Sequence, residues 1–286
     1  MTASVTVLET GLLTTVQDAG RPGQASLGVG PSGACDLASY RLANRLVGNP
    51  EGAAVLEVTY GGLRLRAGGD VVVVTTGARG GGSWHHNAPT TLRSGDELVL
   101  GAPASGLRTY VAVRGGFDVD AVLGSCATDT MSGLGPDVLA PGDVLAVGAS
   151  DLPMPGVDLA PVTEPEAGDV TVLVTPGPRR DWFPDEAWAS LTGQHWTVTS
   201  DSNRIGLRLE GDALERNRAE ELPSEGLVRG ALQVPPSGKP VLFLADHPVT
   251  GGYPVIGYVA DVDVDRCAQL RPGQRLLLRE ADTRRR

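Results

Sequence analysis

The segment LRSGDELVL (92–100) recurs as LAPGDVLAV (139–147) and again as LRPGQRLLL (270–278). Each copy is a leucine, a turn containing glycine and an apolar run of strand length. Glycine takes positive φ at little cost, so each turn can reverse the chain and deliver it at once into a strand. The unit stands near both ends of the chain and predicts duplicated β structure. The pattern widens around it: SVTVLET (4–10), AVLEVTY (54–60), GLRLRA (62–67), VVVVTTG (71–77), TYVAVRG (109–115), VTVLVTP (170–176), WTVTS (196–200), ALQVP (231–235) and VLFLAD (241–246) are short alternating or continuous apolar runs. Gly, Pro, Asp or Ser bounds each of them, which is the punctuation of a mainly β protein.

Composition agrees. The chain has 286 residues, of which 39 Gly and 21 Pro make about a fifth, a surplus of turns that disfavours a helical bundle. Hydrophobic residues at 41% suffice for one large core or two smaller ones. No apolar run approaches the roughly 20 residues of a membrane span, and MTASVTVLETGLL lacks the basic start of a signal peptide, so a cytoplasmic protein is expected. Cys35, Cys126 and Cys267 are odd in number and far apart, which indicates neither a disulfide framework nor a zinc knuckle. A net charge of −10 argues against nucleic acid or an anionic membrane as partner. Lys239 is the single lysine, so cationic sites fall to the planar guanidinium fork.

Four prolines mark SDLPMPGVDLAPVTEPEAG (150–168), which reads as a linker at 151–168 between domains at 1–150 and 169–286, the second ending in a short disordered tail. A few short helices are expected. The clearest is ACDLASYRLANRLVG (34–48), with Ser32 as its cap and Gly48 as its stop; others are PDEAWASL (184–191), DALER (212–216) and DVDRCAQL (263–270).

Gly28, Gly30 and Gly33 spell GxGxxG before the first helix, with Glu57 further on, but no buried strand precedes them and no strand–helix alternation follows, so a dinucleotide site is not indicated. A helix N-terminus entered through Ser32 and Gly33 remains a candidate anion cradle. His85 and His86 are adjacent and point apart, and His195 and His247 are isolated, which gives no histidine metal set. Two stretches concentrate polar groups at turns: TTVQDAGRPG (14–23), with Gln17, Asp18 and Arg21, and LADHPVTGGYPVIGY (244–258), with Asp246, Thr250 and Tyr253. SDSNRIGLRLEG (200–211) places Arg204 and Arg208 four apart, on one face if both lie in a strand, as an anion clamp. LPSEGLVRGALQVPPSG (222–238) adds Glu225 and Gln233.

Together with GVGPSGACDLASYRLANRLVGN, YVAVRGGFDVDAVLGS and SEGLVRGALQVPPSGKPVLFLAD, these strings resemble the allophanate hydrolase subunit 2 family, also called the biotin-dependent carboxyltransferase-like family, from about residue 5 to residue 279. The resemblance implies tandem cyclophilin-like β-barrel domains. It also implies one component of a larger enzyme rather than a lone enzyme, similar to the C subunit of an ATP-dependent 5-oxoprolinase, a hydrolase that opens a cyclic amide. The implied partners are a B subunit of the kinase-inhibitor-like, allophanate hydrolase subunit 1 type and an A subunit of the LamB/YcsF type. ATP, with Mg in the complex, is the implied cofactor. Met-Lys-Met is absent, so this chain carries no covalent biotin. The alternatives are a biotin-dependent carboxyltransferase acting on urea or a related amide, and a non-enzymatic antagonist that binds a kinase-inhibitor-like partner. Carried over motif by motif, Asp246, Glu225 and Gln233 are the implied catalytic residues. Arg204, Arg208, Ser32, Gly33, Asp18, Arg21, Thr250, Gly251, Gly252 and Tyr253 are the implied substrate or nucleotide contacts. Pro248, Val249 and Ala127 depart from the usual residues of the family.

Overall fold

The computed structural model describes residues 3–82, 85–218, 220 and 222–281. The chain divides into two compact units, unit 1 with Met1–Pro22 and Ser32–Pro165, and unit 2 with Gly23–Pro31 and Glu166–Arg286. The proline-rich stretch 151–168 has neither helix nor strand. Up to Pro165 it counts with unit 1, where Arg114 donates to the Leu152 carbonyl at 2.5 Å and the Ala160 N–H donates to the Asn87 carbonyl at 2.9 Å. The expected C-terminal tail lies outside the described residues.

Unit 1 contains β1 (Ser4–Thr10), β2 (Leu13–Gln17), helix α1 (Leu37–Leu46), β3 (Val55–Thr59), β4 (Leu63–Ala67), β5 (Val71–Gly77), β6 (Thr90–Leu92), β7 (Glu97–Val99), β8 (Arg108–Val113), β9 (Phe117–Asp118) and β10 (Val144–Val147). They form two five-stranded antiparallel sheets, ordered β7-β4-β1-β10-β9 and β2-β3-β8-β5-β6. Val5, Val7, Leu63 and Leu65 of the first sheet meet Leu56, Val58, Val111 and Val113 of the second in one core. Tyr110 and Ala112, which alternate with Val111 and Val113, face instead the side of α1 that carries Tyr40, Ala43 and Leu46. A strand covered on both faces has no solvent side, so β8 is buried at every position, and its Tyr110–Val113 half reads as an unbroken apolar run.

Unit 2 contains β11 (Val170–Pro176), α2 (Asp185–Gly193), β12 (His195–Val198), β13 (Gly206–Glu210), β14 (Glu225–Gly226), β15 (Ala231–Gln233), β16 (Val241–Phe243), β17 (Thr250–Gly251), β18 (Val255–Val259), α3 (Asp261–Cys267) and β19 (Arg275–Glu280). Seven of its strands close into a barrel in the order β11-β18-β15-β16-β13-β12-β19, completed by parallel pairing of β19 with β11, Val170 opposite Leu276. The mainly β architecture expected from the runs is found, with three α-helices among the described residues.

The repeated turn is built the same way three times. Gly95, Gly142 and Gly273 have φ of +92°, +101° and +88°. Their N–H groups donate to the carbonyls of Ala67, Val7 and Val198. The side chain that follows each glycine, Asp96, Asp143 or Gln274, accepts from the backbone N–H three residues earlier. Two helix expectations change. Residues 212–216 form no helix, and α1 starts at Leu37 with Asp36 as its cap, accepting from the Ser39 N–H at 2.9 Å. Ser32 lies too far upstream to cap it.

Candidate functional site

The predicted site residues fall into both units. In unit 1, Asp18 and Arg21 follow β2 and are almost wholly buried. The Asp18 carboxylate accepts from the Gly20 N–H at 2.7 Å, the Ser125 hydroxyl at 2.6 Å and the Cys126 N–H at 2.6 Å. Arg21 donates to the carbonyls of Val122 and Ala127, with Asp129 at 3.9 Å. Gly33, at φ +90°, lets its chain pass the 18–20 backbone, where a Cβ would come within 2.8 Å of the Gly20 nitrogen. Ser32 turns its hydroxyl to the Thr128 carbonyl at 3.3 Å. These residues tie segments 17–21 and 32–34 to loop 119–129, although Arg21 Nη1 is buried there without a hydrogen-bond partner among the described residues.

The anion cradle expected at α1 does not form. Its entry is filled by the chain's own acceptors: the Cys35 N–H donates to Glu57 at 2.9 Å and the Asp36 N–H to the Tyr110 oxygen at 2.7 Å. Tyr110 in turn donates to Glu57 at 2.8 Å, and Arg108 approaches the same carboxylate at 3.4 Å. Burial first, then the neighbouring Glu57 charge, raises the Tyr110 phenol well above its ordinary value. With Asp36 and Glu57 already at the helix start, a phosphate would meet like charge. Among the described residues no group of three or more His, Cys, Asp or Glu could hold a metal ion. His86 is half-buried, near Thr75 and the Gly77 carbonyl, and burial lowers its pKa.

In unit 2 the arginine clamp is corrected. Arg204 and Arg208 do not share a face: Arg204 precedes β13 and is 2% exposed, whereas Arg208 on the strand is exposed. Arg204 grips Asp246 through Nε and Nη2, both at 2.9 Å, with the two side chains buried. An ion pair of this kind holds the 244–254 loop against the approach to β13. It leaves Asp246 neither a free base nor a metal-side carboxylate.

The remaining motifs converge nearby in sequence-distant pieces. β14 pairs with β17, placing Glu225 opposite Gly251 and Gly226 opposite Thr250. Gln233, buried at the end of β15, donates its amide nitrogen to the Tyr253 carbonyl at 2.9 Å. A Cβ at Gly251 would come within 2.5 Å of that nitrogen, so a larger residue there would require the Gln233 amide to shift. Thr250, Gly252 and Tyr253 are exposed. Glu225 receives both Nε and Nη2 of Arg179, and that hydrogen bonding holds its carboxyl below the usual range. It is therefore anionic and weakly basic at neutral pH. Arg216 lies over the Tyr253 ring, 6.0 Å from the centroid, and donates to the Val234 carbonyl. Sequence reading missed Arg179 and Arg216. Both sit in irregular segments whose spacing carries no signal, and only the fold brings them to Glu225 and Tyr253.

Residues 27–280 match the family described as carboxyltransferase domain, subdomain A and B. The chain is 36% identical to the C subunit of 5-oxoprolinase from Escherichia coli over 94% of this chain and 88% of that protein. It is 31% identical to urea amidolyase of Lachancea kluyveri over 93% of this chain but 16% of the other. Among solved structures, urea amidolyase of Kluyveromyces lactis superposes with a TM-score of 0.89 at 31% identity, over 96% of this chain and 18% of that one.

Proposed function

The chain belongs to the family of the carboxyltransferase domain, subdomain A and B, and from that premise we propose that it is a subunit of an ATP-dependent assembly that opens 5-oxoproline to glutamate, inactive on its own. Water adds to the lactam carbonyl carbon, the C–N bond breaks, and the electron pair stays on nitrogen, which takes a proton. The observation that carries the reading is the meeting of three separate motifs in unit 2: Glu225 opposite Gly251, and Gln233 bonded to the Tyr253 carbonyl. Gln233 spends its nitrogen there and keeps its carbonyl oxygen for an amide N–H of the substrate. Glu225, held anionic by Arg179, is a second acceptor rather than a proton carrier. Two relatives that carry the name of the 5-oxoprolinase C subunit, alike over nearly the whole chain, support the substrate class.

The α1 entry offers ATP no phosphate cradle, since it is filled by the chain's own acceptors. Handling of ATP and its Mg ion is assigned to the B and A subunits, in the cytoplasm. The test is reconstitution with both partner subunits and chromatographic measurement of glutamate. Omitting this chain should abolish ATP-dependent conversion, and Gln233→Ala should lower kcat/KM about 10- to 100-fold, the worth of one or two substrate hydrogen bonds. The likeness to urea amidolyase favours a second reading, carboxyl transfer from a carboxybiotin carried by another protein. Labelled bicarbonate entering urea, with inhibition by avidin and no turnover of 5-oxoproline, would replace the first reading by the second.

A further inference from the structure

We propose that Arg216 and Tyr253 form an anion subsite in unit 2 that holds the carboxylate of the amide substrate; this rests on the amide-opening reading above. Other arginines of unit 2 are neutralised by the fold: Arg179 faces Glu225, Arg204 faces Asp246, and Arg218 faces Asp181. Arg216 pairs with no carboxylate among the described residues. Its Nη2 goes to a neutral carbonyl, that of Val234, and its Nε is enclosed with no acceptor. Burial has stripped enough water from this guanidinium to lower its pKa. The Tyr253 ring offers the cation only a quadrupole, which compensates partly for lost hydration.

A desolvated guanidinium that meets no counter-charge among the described residues is unfavourable until an anion arrives, and the planar fork matches a carboxylate better than a point charge does. Tyr253 is 45% exposed, so the ring beneath the cation is open to a ligand and brings a phenolic hydroxyl. Its own carbonyl is the group that anchors Gln233. The subsite and the amide-reading residue are thus joined through one residue. A lactam bearing a carboxylate can bridge them, whereas a neutral amide of the urea type meets only one of the two. Arg216 is in this sense a specificity-determining residue.

The experiment compares 5-oxoproline with 2-pyrrolidinone, the same ring without its carboxylate, in the complete assembly. Arg216→Gln should raise KM for 5-oxoproline by about 10- to 100-fold, the range for a lost charge-assisted hydrogen bond, while kcat/KM for 2-pyrrolidinone and the thermal midpoint stay at wild-type values. Arg216→Lys should recover part of the KM. Equal losses on both substrates, or none on either, overturn the subsite. Should Arg216→Gln fail to fold, Tyr253→Phe takes its place, with a smaller rise in KM expected for 5-oxoproline alone and an unchanged KM refuting the assignment. If the assembly turns over neither compound, the amide-opening reading falls by itself. The subsite is then tested by calorimetric titration of the full chain with 5-oxoproline and with inorganic phosphate. Carboxylate binding that Arg216→Gln abolishes supports it; binding of phosphate alone, or of neither, overturns it.

Discussion

Both units bury an arginine and an aspartate that the sequence presents as site residues, yet they neutralise them differently. In unit 1, Asp18 and Arg21 do not pair. The carboxylate collects two backbone N–H groups and a serine hydroxyl, and the guanidinium collects backbone carbonyls, with the Asp129 carboxylate further off at 3.9 Å. In unit 2, Arg204 and Asp246 answer each other directly through two parallel hydrogen bonds. Neutralisation dispersed over several groups, most of them backbone, makes each charge a local staple between loops. A direct pair makes each charge depend on the other, so removing one strands its partner in a low-dielectric site.

The sharpest way to break the comparison is Asp246→Ala, which leaves Arg204 buried and uncompensated; a loss of about 3–5 kcal/mol is expected in urea unfolding. The paired replacement Arg204→Met with Asp246→Leu should recover most of it, because neither charge then remains. If the single change costs no more than a surface substitution, the direct pair is not what holds the 244–254 loop. Asp18→Asn in unit 1 should cost less, about 1–3 kcal/mol, because the amide keeps one acceptor while the charge-assisted share of three hydrogen bonds is lost. A cost above that of Asp246→Ala would reverse the ranking of the two designs.

Alkaline titration sharpens it further. Tyr110 has a raised pKa in the folded chain, so its contribution is complete below the ordinary phenol value of about 10 and is lost as pH rises beyond it toward the folded value. Stability should fall by about 1.4 kcal/mol per pH unit from this group in that window, and Tyr110→Phe should remove that part of the slope. The smallest effect is expected at the solvent-facing Arg179–Glu225 pair. Glu225 has a lowered pKa, so its contribution is present above about pH 4.3 and disappears as pH falls through the folded value. Solvent screening keeps it below about 1 kcal/mol, and Glu225→Gln should flatten the acid limb of the stability curve by no more than that.

Much of the fold was legible. Strand β1 occupies the run 4–10 and β11 the run 170–176, and the three glycine turns adopt the φ that their sequence allows. The candidate site was legible in its motifs and not in its roles. SEG, QVP and TGGYP do assemble through β14, β15 and β17, but the Arg204 and Arg208 spacing misled, because the register puts one side chain inside and the other outside. Ser32 misled in a similar way: the helix begins later, where the Asp36 side chain reaches the Ser39 N–H. Arg216 had no motif at all, and its significance lies in its meeting no carboxylate among the described residues.

The sequence by itself determined the alternation of strands and the places where the chain must turn, because period-two apolar patterning and glycine act over a few neighbouring residues. Only the tertiary structure decided which charges neutralise each other. Arg204 finds Asp246 from 42 positions away, and Asp18 finds Ser125 from 107. It also assigned Gly23–Pro31 to the unit formed by the far end of the chain. Hydrogen bonds and ion pairs are decided by distance in space, and local composition carries no record of which distant backbone will arrive beside a given carboxylate.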